Sequence, residues 1–291
     1  MTALPTDQIP GVYHRRIGDL LVTALCDGYM DGNYEIFRNV DPAEVDDVLG
    51  AAFRPSPPRI SINCFLIRTK DRVALVDTGS ADSMGPTLGR LPESMAATGV
   101  TFADVDTVLL THVHPDHSNA LTAADGTRNF ENAELVVSEA DVRHWHDDAA
   151  MSKANDRQKL RYFEWGRFQV KPYADRRRHA EGDVFPGVTA LPIPGHTPGH
   201  TAYLIASGNE SMLIWGDTCH VPEIQLRRPS ATMIFDSDPE AAAASRRRVL
   251  DMVATDRLLV GGMHLHFPGF AHVVREGAGY AAITEGWAFT V

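Results

Sequence analysis

One short segment of the sequence concentrates metal-binding side chains directly after an apolar run. Residues 111–118 read Thr-His-Val-His-Pro-Asp-His-Ser and follow Val-Leu-Leu. The apolar run is typical of a buried β-strand, and a tight turn after it brings His112, His114 and Asp116 to one side, with His117 next to them. Divalent ions such as Zn²⁺ prefer imidazole and carboxylate ligands, and burying these groups without a metal would be costly. The segment therefore predicts a metal site at a strand end.

The same arrangement recurs three times later in the chain. His196, Asp217 and His264 each follow a predicted apolar strand and are accompanied by a glycine. A surface loop that happens to be rich in histidine would not explain this recurrence. We therefore expect these three residues to complete the site that begins at His112.

The periodicity of the chain predicts strands in two groups, each followed by helices. Strands are predicted at 20–25, 60–68, 73–76, 107–110, 135–138, 188–192, 201–205, 211–215 and 258–260, and the clearest helices at 83–97 and 238–252. Asp238 is the expected N-cap of the last helix, with Pro239 at its first position. The pattern favours an α/β fold in which two β-sheets are covered on the outside by helical layers. No linker separates the groups, so residues 1–291 are expected to form a single domain.

The segment 29–58 stands apart from this pattern. It contains aromatic residues and ends in the breaker cluster Pro-Ser-Pro-Pro at 55–58. We interpret it as an arm that either covers the site or exchanges across a homodimer. The sequence leaves these alternatives open.

The charge and cysteine content narrow the classes of partner. Lys and Arg number 27 against 38 Asp and Glu, a net charge of −11, which disfavours nucleic acid and anionic membranes. The three cysteines form no CxxC pair, so neither a disulfide framework nor a thiolate zinc site is expected. The N-terminal residues lack the apolar core of a secretory signal, and no apolar run reaches membrane-spanning length. We expect a cytoplasmic protein that acts on a small molecule.

These motifs resemble those of the metallo-β-lactamase-fold hydrolases. The matching stretches are His-x-His-x-Asp-His at 112–117, Pro-Gly-His-Thr-Pro-Gly-His at 194–200, Gly-Asp at 216–217, the late His264, and Asp-Thr-Gly at 77–79. They occur in the order typical of that superfamily. The resemblance implies a four-layer αββα sandwich of two mixed β-sheets.

The resemblance also implies which residues hold metal. His112, His114 and His196 would bind one ion, and Asp116, His117 and His264 a second, with Asp217 bridging both. The implied cofactors are two divalent ions, for which Zn²⁺ is favoured and Mn, Co or Fe are alternatives. Asp77 is expected to support the turn or a ligand rather than to ligate.

The implied activity is hydrolysis by a hydroxide shared between the two metals, with Asp116 orienting it or moving its proton. The stretch from Met263 to Phe270 resembles the methyl parathion hydrolase and lactonase branch, whose substrates are lactones, neutral esters and phosphotriesters bound in an apolar pocket. Candidate residues of such a pocket are Tyr34, Phe37, Trp215, Phe267 and Phe270.

Two other functions are compatible with parts of this pattern. A single iron at the first site would suit a thiol or persulfide dioxygenase of the same fold, but the intact Asp116 and His264 count against it. A metal- or ligand-binding protein on a degenerate fold would lack ligands, and none is missing. His266 is an alternative to His264, His200 is expected to hydrogen-bond within its loop, and contributions of Cys219 and His220 are left open.

Overall fold

A computed structural model describes residues 4–291 and contains two seven-stranded sheets. The first sheet consists of β1 (Val12–Ile17), β2 (Leu20–Asp31), β3 (Arg59–Arg68), β4 (Val73–Val76), β5 (Thr107–Leu109), β6 (Glu134–Val137) and β7 (Arg177–His179), in that spatial order. The second consists of β8 (Gly182–Phe185), β9 (Val188–Pro192), β10 (Thr201–Ser207), β11 (Glu210–Ile214), β12 (Leu259–Gly261), β13 (Phe270–Glu276) and β14 (Gly279–Thr284), also in sequential order.

Both sheets mix antiparallel and parallel pairs. In the first sheet β1 to β4 are antiparallel and β4 to β7 parallel, and in the second sheet only the β11–β12 pair is parallel. Parallel neighbours end at the same edge of a sheet. The segments that follow β4 and β5, and those that follow β11 and β12, are therefore brought together.

Helices cover the outer faces. They are α1 (Pro42–Ala51), α2 (Leu91–Ala97), α3 (Pro115–Ser118), α4 (Glu139–Trp145), α5 (Asp148–Lys153), α6 (Asp156–Gln158), α7 (Trp165–Val170), α8 (Pro222–Gln225) and α9 (Pro239–Thr255). A π-helical turn, Lys159–Glu164, joins α6 to α7, and short 3₁₀ turns lie at Tyr34–Ile36, Phe102–Asp104, Lys171–Tyr173 and Gly216–Thr218. The expected αββα sandwich of two mixed sheets is confirmed.

Apolar side chains fill the spaces between these layers. One core lies between the sheets and includes Phe65, Tyr203 and Phe270. A second core packs the first sheet against α2, α4 and α7, and a third packs the second sheet against α9. Successive residues of β3 alternate between cores, with Phe65 in the first and Leu66 in the second, as strand geometry requires.

The helix predicted at 83–97 is corrected to Leu91–Ala97. Gly85 and Gly89 both have positive φ, at 131° and 81°, and Pro86 lies between them. These conformations cannot continue an α-helix. The helix predicted at 238–252 is confirmed as α9, where the Asp238 side chain accepts a hydrogen bond from the backbone N–H of Ala241.

The loop 194–200 is anchored to the start of α9. The backbone N–H groups of Ser237 and Asp238 donate to the carbonyls of His196 and Gly195. Gly195 has a φ of 134°, and a Cβ there would clash with the backbone of Ala241 and Ala242. Glycine is therefore required for this loop to approach the helix closely.

We expect Gly195→Ala to lower the free energy of unfolding by about 2 to 3 kcal/mol, because it adds a clash to backbone strain. Urea denaturation measures this. Gly85→Ala is the matched control, since Gly85 has nearly the same φ, 131°, but open space around it, so it reports the backbone strain without the clash. Equal losses in the two variants would contradict a role for the contact with α9.

Candidate metal centre

Four chain segments that leave strand ends meet at one edge of the sandwich. The segment after β5 carries His112 and His114 and enters α3, which contains Asp116 and His117. His196, Asp217 and His264 follow β9, β11 and β12, respectively. Six of these seven side chains are buried, and Asp116 retains 14% side-chain exposure. The structure therefore brings all seven predicted ligand candidates into one cluster.

Three imidazoles form the first half of the cluster. His196 Nε2 lies 3.2 Å from His112 Nε2 and 3.0 Å from His114 Nδ1. Burial holds the pKa values of His112 and His114 well below the ordinary value, so both rings are neutral. The third ring differs: burial opposes its charged form, but Asp217 and Asp236 raise the His196 pKa to about 9. Two neutral ring nitrogens beside a point that favours positive charge suit a metal ion.

Asp116, His117 and His264 form the second half. Asp116 Oδ2 lies 3.3 Å from His117 Nε2 and 3.7 Å from His264 Nε2. Burial disfavours the charged form of His117, but the carboxylates of Asp217 and Asp116 prevail and raise its pKa well above the ordinary value. A positive charge is thus favoured at this point of the cluster.

Asp217 lies between the two halves and presents one oxygen to each. Its Oδ2 is 3.2 Å from His196 Nε2 and 3.6 Å from His112 Nε2. Its Oδ1 is 3.2 Å from His117 Nε2 and 3.1 Å from His264 Nε2. Burial opposes ionisation, yet the neighbouring histidines hold the Asp217 pKa well below its usual range. The carboxylate is therefore ionised and faces both sets of histidines.

The donor atoms fit a divalent cation. His117 Nε2, His264 Nε2 and Asp217 Oδ1 are buried and make no hydrogen bond, although they face one another. Leaving such groups unsatisfied is costly. Nitrogen and carboxylate oxygen donors of this kind suit borderline metals such as zinc. The cluster is suited to metal binding.

The rings of the cluster are held from behind by oxygen acceptors. Asp77 Oδ2 lies 2.7 Å from His117 Nδ1, Asp236 Oδ1 lies 2.9 Å from His196 Nδ1, and the Ser61 carbonyl lies 2.9 Å from His264 Nδ1. Each contact fixes a ring so that its other nitrogen faces the cluster. The supporting role expected for Asp77 is confirmed, whereas Asp236 carries no sequence signal that would have identified it.

Asp77 and Asp141 also fix the loop that contains the paired histidines. Asp77 accepts from the backbone N–H of Thr111 at 2.8 Å and from its hydroxyl at 2.7 Å. Asp141, fully buried in α4, accepts from the backbone N–H groups of Val113 at 2.9 Å and Gly199 at 2.6 Å. Asp141 therefore ties the loop after β5 to the loop after β9. Sequence analysis missed it.

The structure shows which of the neighbouring residues whose roles the sequence left open belong to the cluster. His200 Nε2 accepts from the backbone N–H of Asp217 at 2.8 Å, consistent with the local hydrogen bonding expected for it. His266 lies outside the cluster and pairs with Glu223 at 2.7 Å. Cys219 is buried in the core beneath α9, and burial raises its pKa to about 12. His220 Nε2 contacts Asp217 Oδ2 at 2.9 Å, so His220 belongs to the site.

A cavity of about 460 Å³ opens onto the cluster. One part of its lining is apolar and consists of Met30, Ile36, Ile60, Ile234 and Phe235. Another part is polar and comes from the helical segment 155–162. The apolar pocket expected from the sequence is therefore corrected to a cavity of mixed character. Residues 30–38, within the predicted arm, supply part of the wall.

None of the five predicted pocket aromatics lines this cavity, and that prediction is corrected. Trp215 and Phe270 are buried in the cores on either side of the second sheet. Phe37 packs beneath α1, and its backbone pairs with Met233. The Tyr34 hydroxyl donates to Asp46, and Phe267 lies against Gly11. Each satisfies a packing or hydrogen-bonding need elsewhere.

Comparison with known proteins agrees with this architecture. The structure is similar to that of hydrolase AbOPH in the beta lactamase superfamily, with 29% identity, a TM-score of 0.90, and coverage of 97% of this chain and 100% of that one. It is also similar to AidC, a dizinc quorum-quenching lactonase solved with a product, with 25% identity, a TM-score of 0.91 and the same coverage.

Comparison with curated protein sequences agrees with the comparison of structures. The N-acyl homoserine lactonase of Bacillus thuringiensis is 25% identical over 220 residues, 68% of this chain and 78% of that protein. The match to the uncharacterized protein YobT of Bacillus subtilis (strain 168), at 26% identity over 161 residues, covers 55% of this chain and 63% of YobT. The family model "Metallo-beta-lactamase superfamily" matches residues 57–275, more than half of the chain. The chain therefore belongs to the metallo-β-lactamase superfamily.

Proposed function

We propose that this protein is a dinuclear metal-dependent hydrolase that opens a lactone or cleaves a carboxylic ester or phosphotriester. The position of Asp217 is the observation that carries the proposal, because its two oxygens face two separate sets of histidines. A site for one ion would not require the second set of side chains, Asp116, His117 and His264. The same feature counts against the mononuclear iron dioxygenase.

In this proposal His112, His114 and His196 would hold one ion, Asp116, His117 and His264 would hold the other, and Asp217 would be shared between them. Zn²⁺ is the favoured ion for this donor set, with Mn, Co or Fe as alternatives. Two such ions would supply Lewis-acid polarisation of the substrate and lower the pKa of bound water toward neutrality.

The chain's own residues would orient the reactants. Burial opposes ionisation of Asp116, but His117 and His264 lower its pKa, so the carboxylate is ionised at neutral pH. It lines the cavity and is the acceptor we assign to a proton of the attacking water. Burial lowers the His220 pKa to about 4, so this ring stays neutral and its Nε2–H donates to Asp217. His220 thereby keeps the shared carboxylate in place.

Tyr162 is placed to act on the substrate. Its ring stacks on His114, with centroids 4.5 Å apart, and it lines the cavity. Burial and the nearby Asp116 raise its pKa to about 12, so its hydroxyl remains protonated. We assign it the role of a hydrogen-bond donor to a substrate oxygen.

Support for a lactone or ester comes from the relatives and the cavity. Two proteins with related sequences or structures are lactonases. The apolar part of the wall would accommodate an acyl or alkyl group. The scissile group of a phosphotriester is also neutral, so phosphotriesters remain within the proposal.

We further propose that residues 1–291 act as one domain and that the arm 29–58 covers the site of its own chain. The arm packs through Phe37, Val45 and Leu49 against Ile224 and neighbouring side chains. Exchange across a homodimer stays a prediction, as does the cytoplasmic location. Within residues 4–291, no helix has the length and apolarity needed to cross a bilayer.

We expect about two divalent ions per chain by elemental analysis, falling toward one in His264→Ala, because the variant removes one donor of the second set. His266→Ala is the matched control, since His266 lies two residues away and outside the cluster. One ion in the unaltered protein, or an equal loss in the control, would contradict the dinuclear assignment.

Asp236→Asn should weaken metal binding by about 10- to 100-fold, because an amide cannot hold the His196 ring as a carboxylate does. Competition with a chromogenic chelator measures the affinity. Asp238→Asn removes the same charge two residues away, and asparagine preserves the N-cap, so its affinity should be unchanged. Unchanged affinity in Asp236→Asn would show that His196 needs no such support.

Asp116→Asn should reduce kcat/KM for a hydrolysed substrate by about 10²- to 10⁴-fold, the usual range for loss of a general base. The screen uses γ-lactones, p-nitrophenyl esters and methyl paraoxon at micromolar metal-loaded protein, with exposed Asp256→Asn as control. If the unaltered protein turns over none of these compounds, the proposed activity is wrong.

A further inference from the structure

Two arginines belong to the polar part of the cavity lining, in contrast to the apolar part. Arg157 and Arg161 are four residues apart on the helical segment that runs from α6 into the π-helical turn. Residues at this spacing lie on the same side of a helix. Their guanidinium groups therefore face the cavity together.

Neither guanidinium is neutralised by the described part of the chain. Among residues 4–291, no carboxylate oxygen lies within ion-pairing distance of Arg157 or Arg161. Their neighbours differ: Lys159 pairs with Asp156, and Arg167 pairs with Asp148. The cavity also contains Arg38, but it donates to the carbonyls of Met233 and Ile234.

The acidic residues of the cavity do not balance this pair. Asp31 is paired with Arg59 at 2.6 Å, and Asp116 and Asp217 belong to the metal cluster. Glu35 also lines the cavity but is not within ion-pairing distance of either arginine. Although the net charge of the protein is −11, two arginine side chains without ion-pair partners thus line the cavity that opens onto the metal cluster.

Arg161 lies beside an aromatic ring and near the other arginine. Its guanidinium carbon lies 5.8 Å from the ring centroid of Trp165. Burial and the charge of Arg157 lower the Arg161 pKa, so an anion between the two groups would relieve their repulsion. The next residue, Tyr162, stacks on His114, so the helical segment that carries the two arginines reaches the cluster.

We propose that Arg157 and Arg161 bind an oxyanion, a carboxylate or phosphate, carried by the substrate at the end remote from its scissile bond. Arginine suits this role because its planar fork binds either group through paired hydrogen bonds. The inference rests on the proposed function and refines it. The scissile lactone or ester is neutral, whereas the substrate as a whole is an anion.

The test measures binding of amide probes that resist cleavage. Isothermal titration calorimetry compares pentanoic acid 4-nitroanilide with the mono-4-nitroanilide of glutaric acid and with the phosphate ester of 4-hydroxybutyric acid 4-nitroanilide. We expect at least one anionic probe to bind about tenfold or more tightly than the neutral one, equivalent to about 1.4 kcal/mol. Which anion gains more identifies the group.

The variant Arg157→Gln/Arg161→Gln should abolish this preference and leave binding of the neutral probe unchanged. Lys159→Gln, on the same helical segment but outside the cavity lining, should retain the preference. Thermal unfolding should change little in either variant, because neither arginine has an ion-pair partner to lose and Lys159 loses only an exposed pair with Asp156. Retention of the preference in the double variant would overturn the proposal, since the anion would then be held at the metal cluster.

Failure of the two proposals can be told apart. The same proteins are assayed with p-nitrophenyl pentanoate and mono-p-nitrophenyl glutarate. If the anionic amide is preferred but neither ester is hydrolysed, the anion site stands and the hydrolase assignment falls. If both esters are hydrolysed with equal kcat/KM and the amides bind equally, the arginines do not select the substrate.

Discussion

The site depends on burying carboxylate and imidazole groups together at the strand ends. A buried carboxylate is stable only when positive charge lies close to it. Asp217 is ionised although buried, and it faces histidines on both sides. The energetic cost of such burial is large, and hydrogen bonds from outside the cluster offset only part of it. A cation bound by the cluster would remove much of the cost of assembling it, so metal binding would favour the folded state.

Much of the fold and of the cluster could be predicted because both depend on local patterns. Apolar runs gave β4 and β9 with their observed bounds, and polar residues directly after such runs identified the site. The order of the motifs then indicated the superfamily. These features can be predicted from the sequence because strand periodicity and ligand chemistry are properties of neighbouring residues.

What could not be predicted depends on contacts between distant parts of the chain. Asp236 supports His196 across 40 residues, and Asp141 reaches Gly199 across 58. No local pattern distinguishes these carboxylates from exposed ones. The pocket aromatics failed for the same reason, since Trp215 and Phe270 fill cores whose other members lie elsewhere in the sequence. The false extension of α2 arose because apolar spacing outweighed the glycines that break it.

The cavity wall and the metal-facing residues belong to different parts of the architecture. Strand ends of both sheets provide the cluster, whereas the wall comes largely from residues 30–38 and from the helical segment 155–162. Surface segments tolerate substitution better than strand ends packed in a core. Mutations in these two segments at positions other than Tyr162 would therefore change which compounds enter and leave the metal cluster intact, so that one scaffold would acquire new substrates in small, independent steps.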